Sequence, residues 1–448
     1  MNLSKALRLG SSPAVAFVGA GGKTTALFKL AHEYKSCVVT TTTHLGSWQI
    51  PQKSRHIVWP SGRPLSYFSD SIDEGLTLMT GEIEDDRYRG LVDSQITELR
   101  KLTSTKSLPL LIEADGARQK PVKAPAHHEP VIPNFVDLVV VMVGISGLGK
   151  ILAEENVHRP GQFSELSGLE VGQPINIEAL AKVISHPLGG LKDIPQRSRK
   201  IALINQADSP ELQAQSKNLT LRILPFFDGV IIASLGYDTK NEKDARSILA
   251  VYEQTAGIVL AAGGSTRYGQ PKQLLDYRGK PFIRVVTETA LAAGLSPVVA
   301  VLGSSGDDVR SALDGLNVEI VFNPNWEMGQ STSICAGIER LPENTGGAIF
   351  LLTDQPQVTV SVLHSLMEKH YEELPPVIAP YILDRRANPV LFDRVTFEDL
   401  KHLKGDQGGR AIFSKFQPTY VNWADDRLLL DVDSPEDYQI LMDRDRDG

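Results

Sequence analysis

The sequence predicts an α/β protein of two domains, and three observations carry that expectation. At 448 residues the chain is longer than one ordinary hydrophobic core accommodates. Short apolar runs alternate with helix-like segments along its whole length, the rhythm of α/β layering. That rhythm restarts after a helix expected over about Lys240 to Gln254, which divides the chain into 1–254 and 255–448.

Each expected strand is a short apolar run. In the first part these are Ala14 to Val18, Cys37 to Thr40, Leu110 to Glu113, Asp137 to Val143, Lys200 to Asn205 and Gly229 to Ala233. In the second they are Gly257 to Ala262, Pro297 to Leu302, Val318 to Phe322, Gly347 to Leu352 and Pro376 to Ala379. The polar, proline-containing stretch Gln52 to Arg63 reads as a surface loop.

A composition of 42% hydrophobic and 22% charged residues, with no long unbroken apolar run, describes a soluble protein away from membranes. Lys5 and Arg8 precede an apolar stretch that runs straight into Gly-Gly-Lys-Thr-Thr, a strand and loop and not a signal peptide. A net charge of −8 argues against nucleic acid as a partner. Cys37 and Cys335 form no metal-spaced pair, which fits a reducing cytoplasm.

Val259 to Leu275 joins a buried strand to a glycine-rich turn bearing Arg267 and Lys272. Gly263, Gly264 and Gly269 let backbone N–H groups face one concavity, and the two cations neutralise charge the amides cannot, which suits a triphosphate. The expected strand from Gly347 ends in Asp354 and is stopped by Pro356, so its carboxylate falls at the carboxyl end where ligands of open α/β sheets bind. Asp431 and Asp433 alternate in an extended segment. A magnesium ion needs only a few such carboxylates when a triphosphate supplies further oxygens, so Asp354 and one of this acidic pair would suffice as its ligands.

These residues resemble the signature loop of the molybdenum cofactor cytidylyltransferases and the wider MobA/MocA-like nucleotidyltransferase superfamily, with Tyr268 where methionine is usual. Leu260, Ala261, Ala262 and Gly263 match the CMP-transferring relatives, and the preference for CTP rests on that match. The resemblance implies a Rossmann-like, GT-A-like domain with Arg267, Lys272, Asp354 and Asp433 at the chemistry, and it picks Asp433 from the acidic pair as the magnesium ligand beside Asp354. It adds Ser265 and Ser333, the latter within Gly329 to Gly337, to the nucleotide contacts. Asn388 and Asp406, the latter beside Arg410, resemble acceptor-side elements. The acceptor it implies is molybdopterin carrying molybdenum, and the products are its cytosine dinucleotide and pyrophosphate. A sugar or alditol phosphate acceptor, or a cofactor carrier and insertion chaperone gated by nucleotide, are the competing readings.

In the first part Gly19 to Thr25 nearly spells a P-loop: Phe17 stands where the leading glycine belongs, while Lys23 and Thr24 are in register for phosphate and Mg2+. Gly21, Gly22 and Thr25 complete that seat, with a helix expected from about Thr24 to Tyr34. Gly144 to Lys150 has the right glycine spacing but is followed by Ile151, which has no hydroxyl for a metal. Glu113-Ala-Asp115-Gly116 ends its strand like a Walker B carboxylate leading into a switch. Asn205 to Asp208 resembles the guanine reader of GTPases, with Gln206 replacing its lysine, so ATP and GTP both stay open. His127-His128-Glu129 reads as a solvated turn. Together with Thr40 to Thr43 and Lys123 to Pro130, these motifs resemble the selenium-dependent hydroxylase accessory proteins of the YqeC type, which implies an apo molybdenum hydroxylase as a partner.

Overall fold

The computed structural model describes residues 1–51, 54–72, 74–236, 247–263, 271–303 and 306–446. The chain divides into two compact units, Met1–Tyr252 and Glu253–Gly448. Among the described residues no helix is long and apolar enough to cross a membrane.

The first unit is built on a nine-stranded sheet. Its strands are β1 (Ala14–Gly19), β2 (Ser36–Thr41), β3 (Arg55–Val58), β4 (Gly75–Thr80), β5 (Leu110–Glu113), β6 (Leu138–Gly144), β7 (Arg199–Asn205), β8 (Gly229–Ala233) and β9 (Ile248–Tyr252). Their spatial order is β9-β8-β7-β6-β1-β5-β2-β4-β3. All neighbours are parallel except β9, which runs antiparallel to β8. Parallel strands covered on both faces read as unbroken apolar runs, and β6, Leu-Val-Val-Val-Met-Val-Gly, is buried at every position. The helices start on side-chain caps where the sequence supplies them: Asn176 accepts from the Ala179 amide before the helix Ile177–Ser185, and Ser209 accepts from the Leu212 amide before the helix Pro210–Ile223.

Two sequence expectations are corrected here. The stretch Gln52 to Arg63 contains the edge strand β3, and Trp59 beyond it is 2% exposed, so an apolar anchor overrides the polar composition. The helix expected from Lys240 to Gln254 is strand at Ile248–Tyr252, where Ile248, Ala250 and Val251 are buried against the sheet edge. Residues 240–246 lie outside the described residues.

The second unit carries an eight-stranded sheet made of β10 (Thr255–Ala261), β11 (Val298–Leu302), β12 (Glu319–Phe322), β13 (Gly347–Leu352), β14 (Val377–Ile382), β15 (Arg385–Arg386), β16 (Val390–Asp393) and β17 (Thr419–Asn422). The order is β12-β11-β10-β13-β16-β14-β15, with β17 beside β14. The four strands β12, β11, β10 and β13 are parallel, and β16 joins β13 antiparallel. Numbering the helices used below as α1 (Lys23–Ala31), α2 (Asp93–Thr105), α3 (Ile177–Ser185), α4 (Phe282–Ala292), α5 (Gln330–Ile338) and α6 (Val360–Glu373), α4 and α6 cover one face of this sheet and α5 the other.

In both sheets the chain crosses over in opposite directions on either side of the first strand. The carboxyl ends of β1 and β10 are therefore topological switch points, where loops part and leave a crevice. The loop after β1 is held close to the end of β6. Gly21 has φ +82°, and a Cβ there would lie 2.2 Å from the Gly144 amide nitrogen. Gly21→Ala is expected to cost the first unit on the order of 2 kcal/mol or more. Gly10→Ala, which meets nothing within 4 Å, serves as its near-neutral control in thermal denaturation.

Candidate active sites

In the second unit the chain leaves β10 through Ala262 and Gly263. Gln273, buried, donates Nε2 to the carbonyls of Ala261 at 3.0 Å and Gly263 at 2.8 Å, clamping the entrance to the glycine segment. Thr353, just past β13, donates to the Leu260 carbonyl at 3.2 Å. Gly264, Ser265, Arg267, Tyr268 and Gly269 lie outside the described residues.

Lys272 opens the short 3₁₀ turn Lys272–Leu274. Its Nζ donates to Asp433 Oδ1 at 2.8 Å and to the Val432 carbonyl at 3.1 Å, and lies 3.6 Å from Asp354 Oδ2. The Val432 amide donates to the Asp354 carbonyl at 3.0 Å, which ties the two acidic segments together. Asp431 accepts from Gln355 Nε2 at 2.5 Å. Burial pushes the Asp354 carboxyl up to about 6; Lys272 opposes the rise, and Asp431 and Asp433 add to it. Asp354 Oδ1 is buried without a hydrogen-bond partner among the described residues. Burial also raises the Asp431 carboxyl, with Asp433 adding to it and Gln355 opposing. This is a negatively charged cluster with Lys272 as its adjoining cation.

Beside it lies a cavity of about 290 Å³ lined by Leu260, Asn388, Asp406, Arg410, Phe413 and Asp431. The sheet and the loop 404–409 thus bring together three residues that lie far apart in sequence and were singled out there: Leu260, Asn388 and Asp406. Arg386, which sequence reading passed over, stacks with its Cζ 5.4 Å from the Phe413 ring centre, and burial lowers its pKa. The loop is pinned by a backbone contact: Gly329, at φ +114°, has room for no Cβ, which would lie 2.2 Å from the Gly405 carbonyl carbon. Ser333 does not line the cavity. It is buried in α5, where its hydroxyl accepts from Asn323 Nδ2 at 2.9 Å.

In the first unit the segments at the carboxyl ends of β1, β2, β5 and β7 line a larger cavity of about 830 Å³, whose lining includes Gly21, Gly22, Lys23, Thr24 and Thr25. The Gly19 amide donates to Asp115 Oδ2 at 3.0 Å, that of Ala20 to the Met142 carbonyl at 2.9 Å, and that of Gly21 to the Lys120 carbonyl at 3.1 Å. Those three loop amides are therefore occupied, which leaves the first-turn amides of α1, satisfied by no intrahelical bond, beside the cavity. Asn205 acts as a strut: Nδ2 donates to the Gly21 carbonyl at 2.7 Å and Oδ1 accepts from the Leu235 amide at 2.9 Å.

Lys23 is 4% exposed; its Nζ donates to the Gly19 carbonyl at 2.7 Å and lies 3.2 Å from Asp115 Oδ1. Thr24 donates to Glu113 Oε2 at 3.0 Å and accepts from Gln49 Nε2 at 3.1 Å. Burial raises the Glu113 carboxyl against the pull of Lys23 and Thr24. Behind this layer Lys123 bridges Asp115 at 2.7 Å and Glu129 at 3.0 Å, and Arg159 reaches Glu129 at 2.8 Å. Burial opposes ionisation of Glu129, but the bonds from Arg159 and Lys123 hold its carboxyl down to about 2. His127 and His128 occupy an exposed turn as expected of that motif, but Glu129 does not: it is buried and charge-paired, because two cations from other segments reach it.

The YqeC protein family matches residues 15–161, and the MobA-like NTP transferase domain family matches residues 257–420. Protein YqeC of Escherichia coli (strain K12) is 32% identical over 43% of this chain and 75% of its own length. Nicotine blue oxidoreductase of Paenarthrobacter nicotinovorans is 29% identical over 42% of this chain and 95% of its own. Rv0371c from Mycobacterium tuberculosis H37Rv, a crystal structure, is 28% identical over 42% of this chain and 98% of its own, with a TM-score of 0.39. On these matches the chain belongs to the YqeC family through its first unit and carries a MobA-like NTP transferase domain as its second.

Proposed function

We propose that the second unit transfers CMP from CTP to the molybdopterin molybdenum cofactor, releasing pyrophosphate, and that the first unit binds ATP or GTP to assist delivery of that cofactor to an apo molybdenum hydroxylase. The observation that carries the first half is the cluster of Lys272 with Asp354 and Asp433 at the mouth of the nucleotide loop. The fit to a divalent cation rests on the partnerless, buried Oδ1 of Asp354 with further carboxylates beside it. Asp354 and Asp433 would hold Mg2+, which when bound neutralises charge on the triphosphate oxygens.

The rest falls to the chain. Lys272 turns from its aspartates toward the α-phosphate and the departing pyrophosphate, with Arg267 contributing from the loop; such terms act through preorganised charge. A terminal phosphate monoester on the acceptor, with a second pKa near 6, is largely a dianion at neutral pH and needs no protein base. Its oxygen forms a bond to the α-phosphorus as the bond from that phosphorus to pyrophosphate breaks. Phe350, Phe392 and Phe413 on the cavity wall support a planar heterocycle over a sugar or alditol phosphate, because flat rings pack on phenyl faces while hydroxyls lose water there without replacement. A nicotine blue oxidoreductase is among the relatives, yet a carboxylate cluster beside a glycine loop suits phosphate chemistry and offers nothing specific to hydride transfer.

Incubation with CTP and molybdopterin, scored for pyrophosphate, tests the reading. Lys272→Ala and Asp354→Asn are each expected to lower the rate by about 10²-fold or more while the chain stays folded; delivery of cofactor to a hydroxylase left unaltered by both substitutions would favour a carrier instead. Turnover of a sugar phosphate alone would defeat the choice of acceptor.

A pH profile gives a second check. The Asp354 carboxyl is raised to about 6, so metal binding must displace a proton and Mg2+ affinity is expected to rise between about pH 5 and 7. The sign for stability is opposite. A raised carboxyl favours the folded state fully below its unfolded value of 3.8, and that contribution fades as pH climbs through about 6. Mg2+ is therefore expected to raise the thermal midpoint of the second unit more at pH 7 than at pH 5, and Asp354→Asn to flatten the difference.

A further inference from the structure

The 830 Å³ cavity of the first unit is larger and more cationic than a seat for one nucleotide's phosphates requires. Five cations line it, Lys23, Arg87, Arg118, Lys120 and Arg159, against the two carboxylates Glu113 and Glu129, in a chain whose net charge is −8. Lys23 is neutralised where it stands by Asp115. The excess positive charge therefore lies on the rest of the lining, the wall formed by residues 116–120 and 158–159 together with Arg87.

That wall has an unusual backbone. Four of the thirteen non-glycine residues with positive φ among the described residues line this one cavity: Arg118 at +47°, Gln119 at +59°, Arg159 at +68° and Gln206 at +65°. Each such residue costs on the order of 1–3 kcal/mol and persists only where surroundings enforce it, and such residues cluster at functional sites. All four carry long hydrogen-bonding side chains. Arg159 is fixed by Glu129 at 2.8 Å, and Lys120 by the Glu155 carbonyl at 2.7 Å. Arg118 makes no hydrogen bond or ion pair to any described residue. The field is felt locally: burial, then Arg159, Lys123 and Arg118, push the His158 imidazole down to about 4, so it is neutral at physiological pH and able to donate or accept a hydrogen bond.

We propose that the wall formed by Arg118, Lys120, His158 and Arg159 is a second anion subsite that takes a phosphate-bearing ligand alongside the nucleotide seated on Gly22 to Thr25. It goes beyond the nucleotide reading of the first unit, because it makes the cavity a two-ligand site and not a pocket for a triphosphate and water. A free phosphate monoester and a phosphorylated pterin share the chemistry this wall recognises.

The test uses the full chain carrying Lys272→Ala and Asp354→Asn, which silences the second unit, with inorganic pyrophosphate as the probe in calorimetry. Titrations run with and without saturating Mg·AMPPNP or Mg·GMPPNP. Pyrophosphate is expected to bind in the presence of the analogue, and Arg118→Ala to weaken it about tenfold, the loss of one charge-assisted contact, while leaving the analogue's affinity within about threefold. Lys120→Gln, with circular dichroism confirming the fold, is expected to weaken it to a lesser extent. Full competition between pyrophosphate and the analogue would overturn the proposal, as would pyrophosphate binding unchanged in both variants or absent at millimolar concentration. If neither analogue binds but pyrophosphate binds and responds to Arg118→Ala, the nucleotide reading falls and the anion subsite stands.

Discussion

Charge compensation at the carboxyl edge of a parallel sheet is the constraint on which both units depend. Burial makes the Asp354 carboxyl costly to ionise, yet it stands beside Asp431 and Asp433 with Lys272 as the adjoining cation. Such a cluster is in deficit of positive charge and gains stability from a bound cation and the polyanion that accompanies it. The first unit solves the converse problem. Its buried carboxylates are satisfied one by one, Asp115 by Lys23 and Lys123 and Glu129 by Lys123 and Arg159, while cations remain in excess on the cavity wall. On the proposed reading one edge takes a metal, and the other an anion.

The sheets create these edges. A parallel strand must return by a crossover, so all the loops at its carboxyl end gather on one side, and the crevice opens where the crossovers diverge. Asp354 follows β13 while Lys272 follows the loop of its neighbour β10, and Val432 pairs with the Asp354 backbone to bring the third segment in. In the first unit β5 supplies Glu113 and leads to Asp115, and its neighbour β1 leads to Lys23 and Thr24.

The α/β layering was legible because buried parallel strands have no polar face to hide them; the apolar runs at β1, β6 and β10 mark themselves. Asp354 and Lys272 stood out for a different reason: a strand-end carboxylate is ordinary by itself, but here it occurs in one chain with a glycine turn that carries cations. What sequence did not disclose depended on partners remote along the chain. Gln273 follows Lys272 with no distinguishing pattern, yet it clamps Ala261 and Gly263. Glu129 belongs to a stretch that reads as a solvated turn and is buried because Lys123 and Arg159 converge on it. The strand β9 was misread as helix because a run such as Ile-Leu-Ala-Val-Tyr fits either element until the sheet edge decides. Gly329 shows its purpose only when Gly405 packs against it.

The most direct measurement follows the α-phosphorus of the nucleotide. With CTP labelled there and molybdopterin as acceptor, the account predicts that the label appears in a pterin dinucleotide, in step with unlabelled pyrophosphate and dependent on a divalent cation. Label that stays in CTP, or that appears only as CMP whether or not the acceptor is present, would contradict it.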